Sequence, residues 1–228
     1  MIYIKNPLLR RALKIAIPFI AIPLIVFMGA VVFDERRYVF ISLAVALLSL
    51  ILFACAFEKK AIGSRRMVIV AIMTALSVVG RFIPFFKPIS AITIITAIYL
   101  GSESGFLVGA MSTLISNVYF GQGPWTPFQM LSWGLIGLFA GFLASPLKHR
   151  KYLLLIYGVV SGVVYSATMD IWTVISYNGS FNPKLYTAAL LTAVPHMIMY
   201  CVSNFIFLYF RAEPFGEKLE RIKIKYGI

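Results

Sequence analysis

Charged residues are scarce in this sequence. Only 13% of its 228 residues are Asp, Glu, Lys or Arg, and 61% are hydrophobic, whereas an ordinary soluble domain has roughly 25% charged and 45–50% apolar residues. A soluble fold needs a large polar exterior, while a bilayer accepts apolar side chains on the outside. The scarcity of charge therefore excludes an ordinary soluble enzyme and predicts an integral membrane protein.

Acidic residues and cysteines are scarcer still. Eight Asp and Glu stand against 21 Lys and Arg, which gives a net charge of +13 and would raise nucleic acid as a partner in a soluble protein. Cys55 and Cys201 lie inside apolar segments with no ligand spacing. Neither a disulfide scaffold nor a metal site is predicted, and no cofactor is expected.

Sequence signatures of catalysis and conduction are missing. The chain has no GxxxxGK[ST] phosphate-binding loop, so we do not expect it to hydrolyse ATP itself, and it has no HExxH or GxSxG element. A voltage-sensor arginine repeat and a carbonyl filter sequence are also missing. These absences favour a non-catalytic membrane protein.

Long apolar runs are what the sequence has in abundance. A transmembrane helix needs roughly 17–25 mostly apolar residues. The predicted membrane segments are 15–33, 38–57, 67–83, 89–101, 105–120, 126–146, 152–176 and 186–210. The segment 89–101 is too short to cross upright, so we expect a partial span buried by its neighbours. The first segment is interpreted as a retained span, because no small-residue cleavage pattern follows it.

The basic residues fall mainly on one side of these segments. With the N-terminus in the cytoplasm, 16 of the 21 basic residues lie in cytoplasmic loops or termini, as the positive-inside rule requires. The opposite face keeps Arg36, Arg37, Arg81, Lys87 and Lys184. The positive charge is thus a topology signal with both termini cytoplasmic, and no nucleic-acid partner is predicted.

Polar residues divide the chain into two parts. The segments 15–33 and 38–57 are plain aliphatic runs, whereas the spans from Met67 onward carry Thr, Ser, Asn, Gln, Trp, Asp and His among repeated small residues. We predict an all-α polytopic membrane protein with an N-terminal transmembrane hairpin in 1–60 and a six-helix core in 61–228.

Small residues recur one helical turn apart. Ala71 and Ala75 lie on one face of the first core helix, and such a face lets another helix backbone come close in lipid. Internal packing is the alternative interpretation for this pair. It is the favoured one for the glycine pairs 105/109, 137/141 and 158/162.

A helix break between two spans carries the densest polar chemistry. Two glycines and two prolines interrupt the stretch 116–130 and free backbone groups near the membrane surface. Its amide and aromatic side chains suit a neutral solute that contains rings. The candidate binding residues here are Asn117, Tyr119, Gln122, Trp125, Gln129 and Trp133. A capped turn with interfacial aromatics is the alternative.

The loop 81–88 joins two spans on the same side. Arg81 and Lys87 are cations suited to a phosphate or carboxylate, and Phe82 and Phe85 supply apolar cover. The loop is either a lid over a site or an interfacial anchor.

Two ionisable residues lie in late membrane segments. Asp170, with Trp172 close by, is a candidate because an intramembrane carboxylate is expensive; it either faces a wet cavity or pairs with Arg81 or Lys87. His196, with Tyr200 one turn on, either points into the same cavity or is a satisfied core histidine.

The stretch 67–210 resembles the S components of energy-coupling-factor (ECF) transporters, small six-helix membrane proteins that bind a vitamin on the outer face. Ala71 and Ala75 stand where that family has its AxxxA motif. The helix 105–117, the break 121–129 and the run Trp133-Gly134-x-x-Gly137-x-x-x-Gly141 are similar to the branch that includes the cobalamin-specific S component.

This resemblance implies an importer subunit of the bacterial cytoplasmic membrane. It implies that the subunit captures substrate, topples while docked through Ala71 and Ala75 on a transmembrane scaffold subunit, and releases substrate inward when two separate ATPases act. Cobalamin is the first predicted substrate, and a pyrimidine or nucleobase-like vitamin precursor is the alternative. A membrane enzyme or chaperone using Asp170 and His196, or a channel through the glycine-rich core, stays open from the sequence.

Overall fold

The apolar sequence folds into helices. The computed structural model describes residues 6–32, 38–56 and 60–227, and within these ranges there is no strand. The helices are α1 (Pro7–Ala16), a π-helical turn (Ile17–Ala21), α2 (Ile22–Val32), α3 (Tyr38–Ala54), α4 (Lys60–Arg81), α5 (Ile89–Leu100), α6 (Ser102–Phe120), α7 (Thr126–Phe142), α8 (Ala144–His149), α9 (Lys151–Asn178) and α10 (Pro183–Tyr226). The predicted all-α class is confirmed.

The first helix begins earlier than the apolar run that predicted it. Asn6 caps α1, since its side-chain oxygen accepts from the backbone N–H of Leu8 at 2.9 Å and of Leu9 at 3.3 Å, and Pro7 occupies the first turn. Pro18 lies in the π-helical turn, where its missing N–H removes one bond of the ladder. The helical path continues through this turn into α2.

The N-terminal helices pack onto α6 and α7. A buried cluster joins Ile22 of α2 and Val45 of α3 to Phe106 of α6 and Phe128 of α7. At the end of α1, Lys14 forms an ion pair with Glu103 of α6 at 2.7 Å. These helices therefore share a buried core with α6 and α7. The division between 1–60 and the rest of the chain stays a prediction.

The short helix α5 lies at the centre of the bundle. Its 12 residues span about 18 Å, less than the roughly 30 Å of a hydrocarbon core. Helices α4, α6, α7 and α10 surround it, and nearly all of its side chains are buried. A short apolar segment is stable here because protein, rather than lipid, covers its ends.

Glycines bring neighbouring helices into backbone contact. A Cβ added to Gly137 of α7 would lie 2.5 Å from the carbonyl carbon of Gly105 in α6, and one added to Gly162 of α9 would lie 2.8 Å from the backbone nitrogen of Cys201 in α10. No such close approach is possible with a side chain in place. The glycine pairs therefore serve internal packing.

The last helix is much longer than the predicted segment 186–210. Asn182 caps its start by accepting from the backbone N–H of Lys184 at 3.0 Å, and α10 runs for 44 residues, about 66 Å. In the part of the chain that the structure describes, Pro7–Gly29, Lys151–Asn178 and Pro183–Tyr226 are long and apolar enough to cross a membrane, and Tyr38–Ala54 and Ile89–Leu100 are shorter apolar helices.

Candidate functional site

A chain of hydrogen bonds crosses the bundle from α4 to α9. Arg81, the last residue of α4, donates from Nη1 to Oγ of Ser116 at 2.6 Å and to Oδ1 of Asn117 at 2.5 Å. Asn117 donates from Nδ2 to Oε1 of Gln129 at 2.8 Å, and Gln129 donates from Nε2 to the hydroxyl of Tyr165 at 3.1 Å. Four helices thus contribute to one directed polar network, which fixes the rotamers of its members.

Aromatic rings surround this network. The rings of Trp133 and Tyr165 stack with centroids 4.4 Å apart and planes within 3°, and Tyr200 of α10 meets Tyr165 edge-on at 4.8 Å. The guanidinium of Arg81 lies 4.8 Å from the ring centroid of Phe120 and 5.5 Å from that of Trp133. We call these residues, with Asn117 and Gln129, the Arg81 cluster. It combines a cation, amides and flat apolar faces.

One donor of the Arg81 cluster is left over. Trp133 is fully buried, and its indole Nε1 has no hydrogen-bond partner among the residues that the structure describes. A buried donor without an acceptor costs about 1–3 kcal/mol. Such a group is tolerated where it has a use, and an indole N–H can donate to a ligand oxygen.

The helix break after α6 is a capped turn. Gly121 has φ +101°, a conformation that favours glycine. Gln122 donates from Nε2 to the carbonyl of Leu114 at 2.8 Å and accepts from the hydroxyl of Thr126 at 3.1 Å. Thr126 also accepts from Nδ2 of Asn117 at 2.9 Å. Gln122 therefore holds the turn together, while Asn117 and Gln129 belong to the Arg81 cluster.

The loop 82–88 closes over one side of the cluster. Phe82 contacts the rings of Tyr119 and Phe120, with centroids 4.7 Å and 4.9 Å away. The ammonium of Lys87 donates to the carbonyl oxygen of Arg81, and its backbone N–H donates to Oγ of Ser203 at 2.9 Å. Phe85 is 89% exposed. The loop is thus fastened at Lys87 and exposes an apolar side chain at its tip.

The environment of Lys87 also changes its acid–base behaviour. Burial lowers the pKa of its ammonium, and the neighbouring charge of Arg81 lowers it further. Two cations held this close leave a local excess of positive charge at the C-terminal ends of α4 and α6. An anionic ligand would relieve it.

Asp170 is buried on α9 and forms no ion pair with any described residue. Its Oδ2 has no hydrogen-bond partner among the described residues, and its carboxylate pairs with neither Arg81 nor Lys87. Trp172 meets Trp125, at the start of α7, with ring centroids 5.8 Å apart. Asp170 therefore keeps an acceptor oxygen that the described protein groups do not use.

The predicted residues do not all converge. Arg81, Asn117, Gln129, Trp133 and Tyr200 belong to the Arg81 cluster. Phe82, Tyr119 and Lys87 adjoin it through Phe120, and Gln122 joins it through Thr126. Trp125 and Trp172 form a separate pair. His196 and Phe85 are exposed, and His196 forms no hydrogen bond with Asp170 among the described residues.

Sequence reasoning missed four residues of the cluster region: Ser116, Phe120, Thr126 and Tyr165. Ser116, Phe120 and Thr126 stand inside the helix break that the sequence singled out, so their position was a usable signal. Tyr165 stands in the predicted span 152–176, and a tyrosine hydroxyl inside the membrane needs a partner. That requirement was the only sequence signal for it.

The small-residue pair borders an open groove. Ala71 and Ala75 are both exposed on α4. They line a groove of about 370 Å³ whose other walls come from α3 and α6. Its lining residues are Leu50, Met67, Val70, Ala71, Thr74, Ala75, Val78, Val79, Leu107, Met111 and Ile115. We call this surface the Ala71/Ala75 groove. It is almost wholly apolar, in contrast to the Arg81 cluster.

Residues 65–215 match the model of the family described as ECF transporter, substrate-specific component. The chain belongs to this family. The match covers α4 from Arg65 to Phe215 in α10 and leaves α1–α3 outside it. No similar chain is found among characterised proteins or solved structures.

The family match shows to which class of protein the chain belongs. The chain is a membrane protein and a transport component, the substrate-binding subunit of an ECF transporter. The family works in association with an ECF transmembrane and ATPase module. Within the described ranges, no group of three His, Cys, Asp or Glu side chains is arranged to hold a metal ion.

Proposed function

We propose that this S component captures a vitamin from the outer side of a bacterial cytoplasmic membrane and that the Arg81 cluster is its binding site. The single observation that carries the proposal is the convergence of Arg81, two amides and stacked aromatic rings at one end of the bundle. A binding subunit needs such a set of directed donors and flat faces. The chain does no chemistry on its substrate.

The cluster supports a flat-ring substrate that carries negative charge. Arg81 and the nearby Lys87 favour a phosphate or carboxylate, and the rings of Trp133 and Tyr200 suit a heteroaromatic system. The spare indole N–H of Trp133 and the spare oxygen of Asp170 add one donor and one acceptor. A permanently cationic ring would be repelled by the two cations.

Cobalamin remains the first substrate proposed. It carries a benzimidazole ring, a phosphodiester and several amide groups, which correspond to the aromatic, cationic and amide members of the site. A pyrimidine or nucleobase-like vitamin precursor with an anionic group is the alternative. Asn117 and Gln129 would bind ring or amide edges, while Phe82, Phe85, Tyr119, Trp125 and Trp172 would form the apolar rim. Tyr200 would stack, and Gln122 would hold the turn.

His196 is proposed as a peripheral member of the site. It lies one turn outward from Tyr200 and is exposed, so a large substrate that extends along α10 would reach it. A small one would not.

We propose that delivery of the substrate depends on docking at the Ala71/Ala75 groove, which is apolar where the Arg81 cluster is polar. The Ala71/Ala75 groove would receive a helix of the transmembrane scaffold subunit, which is itself coupled to two ATPases. Both termini would be cytoplasmic. The N-terminal hairpin in 1–60 would stand beside this interface, because Leu50 of α3 lines the groove.

A panel of vitamins tests the proposal directly. The purified chain in detergent is titrated with cobalamin, with cobinamide as the matched compound that lacks the nucleotide loop, and with anionic and neutral forms of smaller vitamins. Saturable binding of one compound, weakened when its anionic group is removed, is the expected result. Failure of every compound to bind, or equal binding of the anionic and neutral forms, would overturn it.

A further inference from the structure

A second cavity lies at the end of the bundle opposite to the Arg81 cluster. It has a volume of about 360 Å³ and lies between α5, α8, α9 and α10. Its apolar wall includes Ile95 and Leu208, and its rim carries Tyr99, Lys148, Lys151 and Glu213. The family match and the Arg81 cluster leave this cavity without a role.

Some charges on the rim are already neutralised. Lys148 at the end of α8 forms an ion pair with Glu220 of α10. This pair ties α8 to α10 beside the cavity. It therefore belongs to the framework and leaves the remaining rim charges to be accounted for.

Lys151 and Glu213 stand unpaired on the same rim. Within the described ranges neither side chain forms an ion pair, although Lys151 lies 4.3 Å from the ring centroid of Tyr209. The hydroxyls of Tyr99 and Tyr209 likewise have no hydrogen-bond partner among the described residues. Among the described residues, the rim thus presents a cation, an anion and two hydroxyls that take part in neither an ion pair nor a hydrogen bond.

We propose that this cavity binds the headgroup of an aminophospholipid such as phosphatidylethanolamine. The phosphate is held by Lys151 with the tyrosine hydroxyls, and the ammonium donates to Glu213. The apolar wall formed by Ile95 and Leu208 receives the start of an acyl chain. A polar rim over an apolar wall, at the end of membrane-crossing helices, fits a molecule that is itself half polar and half apolar.

The charges select among headgroups. The lining contains two lysines and three glutamates. A headgroup with only negative charge, such as that of phosphatidylglycerol, would add negative charge to a rim that is already acidic. Phosphatidylcholine has a quaternary ammonium that cannot donate a hydrogen bond to Glu213. Of these three headgroups, only ethanolamine supplies both a phosphate and N–H donors.

Native mass spectrometry of the full chain tests this site with three lipids of identical acyl chains: phosphatidylethanolamine, phosphatidylcholine and phosphatidylglycerol. We expect the first to bind about tenfold more tightly than the second, a difference of about 1.4 kcal/mol. Glu213→Gln is expected to reduce this preference to less than about twofold, and Lys151→Gln to weaken all three lipids. Both side chains are exposed, so both variants keep the fold.

Lys218→Gln is the matched control, because Lys218 is exposed on the same helix and does not line the cavity. It should leave the ethanolamine preference unchanged. Equal binding of the three lipids by the native chain would overturn the proposal. An unchanged preference in Glu213→Gln would overturn it as well. So would displacement of phosphatidylethanolamine by micromolar spermidine, because spermidine carries ammonium groups but no phosphate.

Discussion

The Arg81 cluster and the Ala71/Ala75 groove are two surfaces of opposite chemical character on one small chain. In the cluster, polar and aromatic side chains come from five helices, and those of α4, α6, α7 and α9 are joined by directed hydrogen bonds. The groove is lined by alanines and aliphatic side chains and forms an apolar depression on the face of α4. The two surfaces share α4 and α6. Arg81 and Ala71 both lie in α4, and α6 contributes Asn117 to the cluster and Met111 to the groove.

The difference shows what each surface is able to discriminate. Directed donors and stacked rings distinguish one small molecule from another, because a wrong ligand leaves buried polar groups unpaired. An apolar groove with small residues distinguishes only shape, and in lipid it gains little from hydrophobicity. Such contact is close but reversible. The expected effects of substitution on the two surfaces should therefore be separable.

The largest effect is expected from filling the groove. Ala71→Trp places a large ring where a helix would approach, so we expect scaffold binding to weaken about 100-fold, or by about 2.7 kcal/mol. Copurification with the coexpressed scaffold subunit measures this. Vitamin binding by the isolated chain should not change.

Val68→Trp is the control for that substitution. Val68 is exposed on α4 but does not line the groove, so copurification should persist. Loss of the scaffold in both variants, or in neither, would contradict the assignment of scaffold binding to the Ala71/Ala75 groove.

The next largest effect, on substrate affinity, is expected from removing the cation of the cluster. Arg81→Gln loses a charged donor, so substrate affinity should fall about 30-fold, which corresponds to about 2 kcal/mol. Isothermal titration of the purified variant measures it, and scaffold copurification should be retained. Lys184→Gln, an exposed cation at the start of α10, should bind as the native chain does. Equal losses in both variants would mean that general electrostatic attraction, and not the cluster, binds the substrate.

A pair of substitutions at Tyr200 separates ring from hydroxyl. Tyr200→Ala removes a stacking face and should weaken substrate binding about tenfold, whereas Tyr200→Phe keeps the ring and should change it less than about threefold. Fluorescence titration compares the two. If Tyr200→Phe proves as weak as Tyr200→Ala, the hydroxyl and not the ring contacts the substrate.

Asp170 is expected to give the smallest effect on the free chain. Asp170→Asn removes a buried carboxylate that forms no ion pair in the part of the chain that the structure describes. The unfolding temperature without ligand should therefore rise by about 2–4 °C. Thermal unfolding in detergent measures this, with Thr173→Ala, an exposed neighbour on α9, as control. A lower unfolding temperature in Asp170→Asn alone would show that the charge has a partner in the native protein.

Much of the fold could be predicted from hydropathy. Most helix starts lie within a few residues of the predicted segments, because Pro and Gly interrupt the apolar runs where the chain turns. The exceptions are the helix ends that leave the apolar region. α10 continues to Tyr226 through a charged stretch that no hydropathy window marks, and α1 begins at Pro7 because of the Asn6 cap.

The site was only partly predictable. The helix break 116–130 and the residues beside it identified Asn117, Gln129 and Trp133, and the loop 81–88 identified Arg81 as a cation suited to an anion. The partners themselves depend on how helices rotate against each other, so Tyr165 was missed. His196 lies in the N-terminal half of α10, where most residues are exposed or half-buried. Sequence spacing alone does not give that information.

The most direct test of the account is a structure of the chain with the vitamin that binds most tightly from the panel. We expect the bound vitamin to contact the guanidinium of Arg81 and the rings of Trp133 and Tyr200, with its anionic group toward Arg81 and Lys87. A vitamin bound elsewhere, in the cavity beside Lys151 or between α3 and α4, would contradict the assignment of the Arg81 cluster as the capture site.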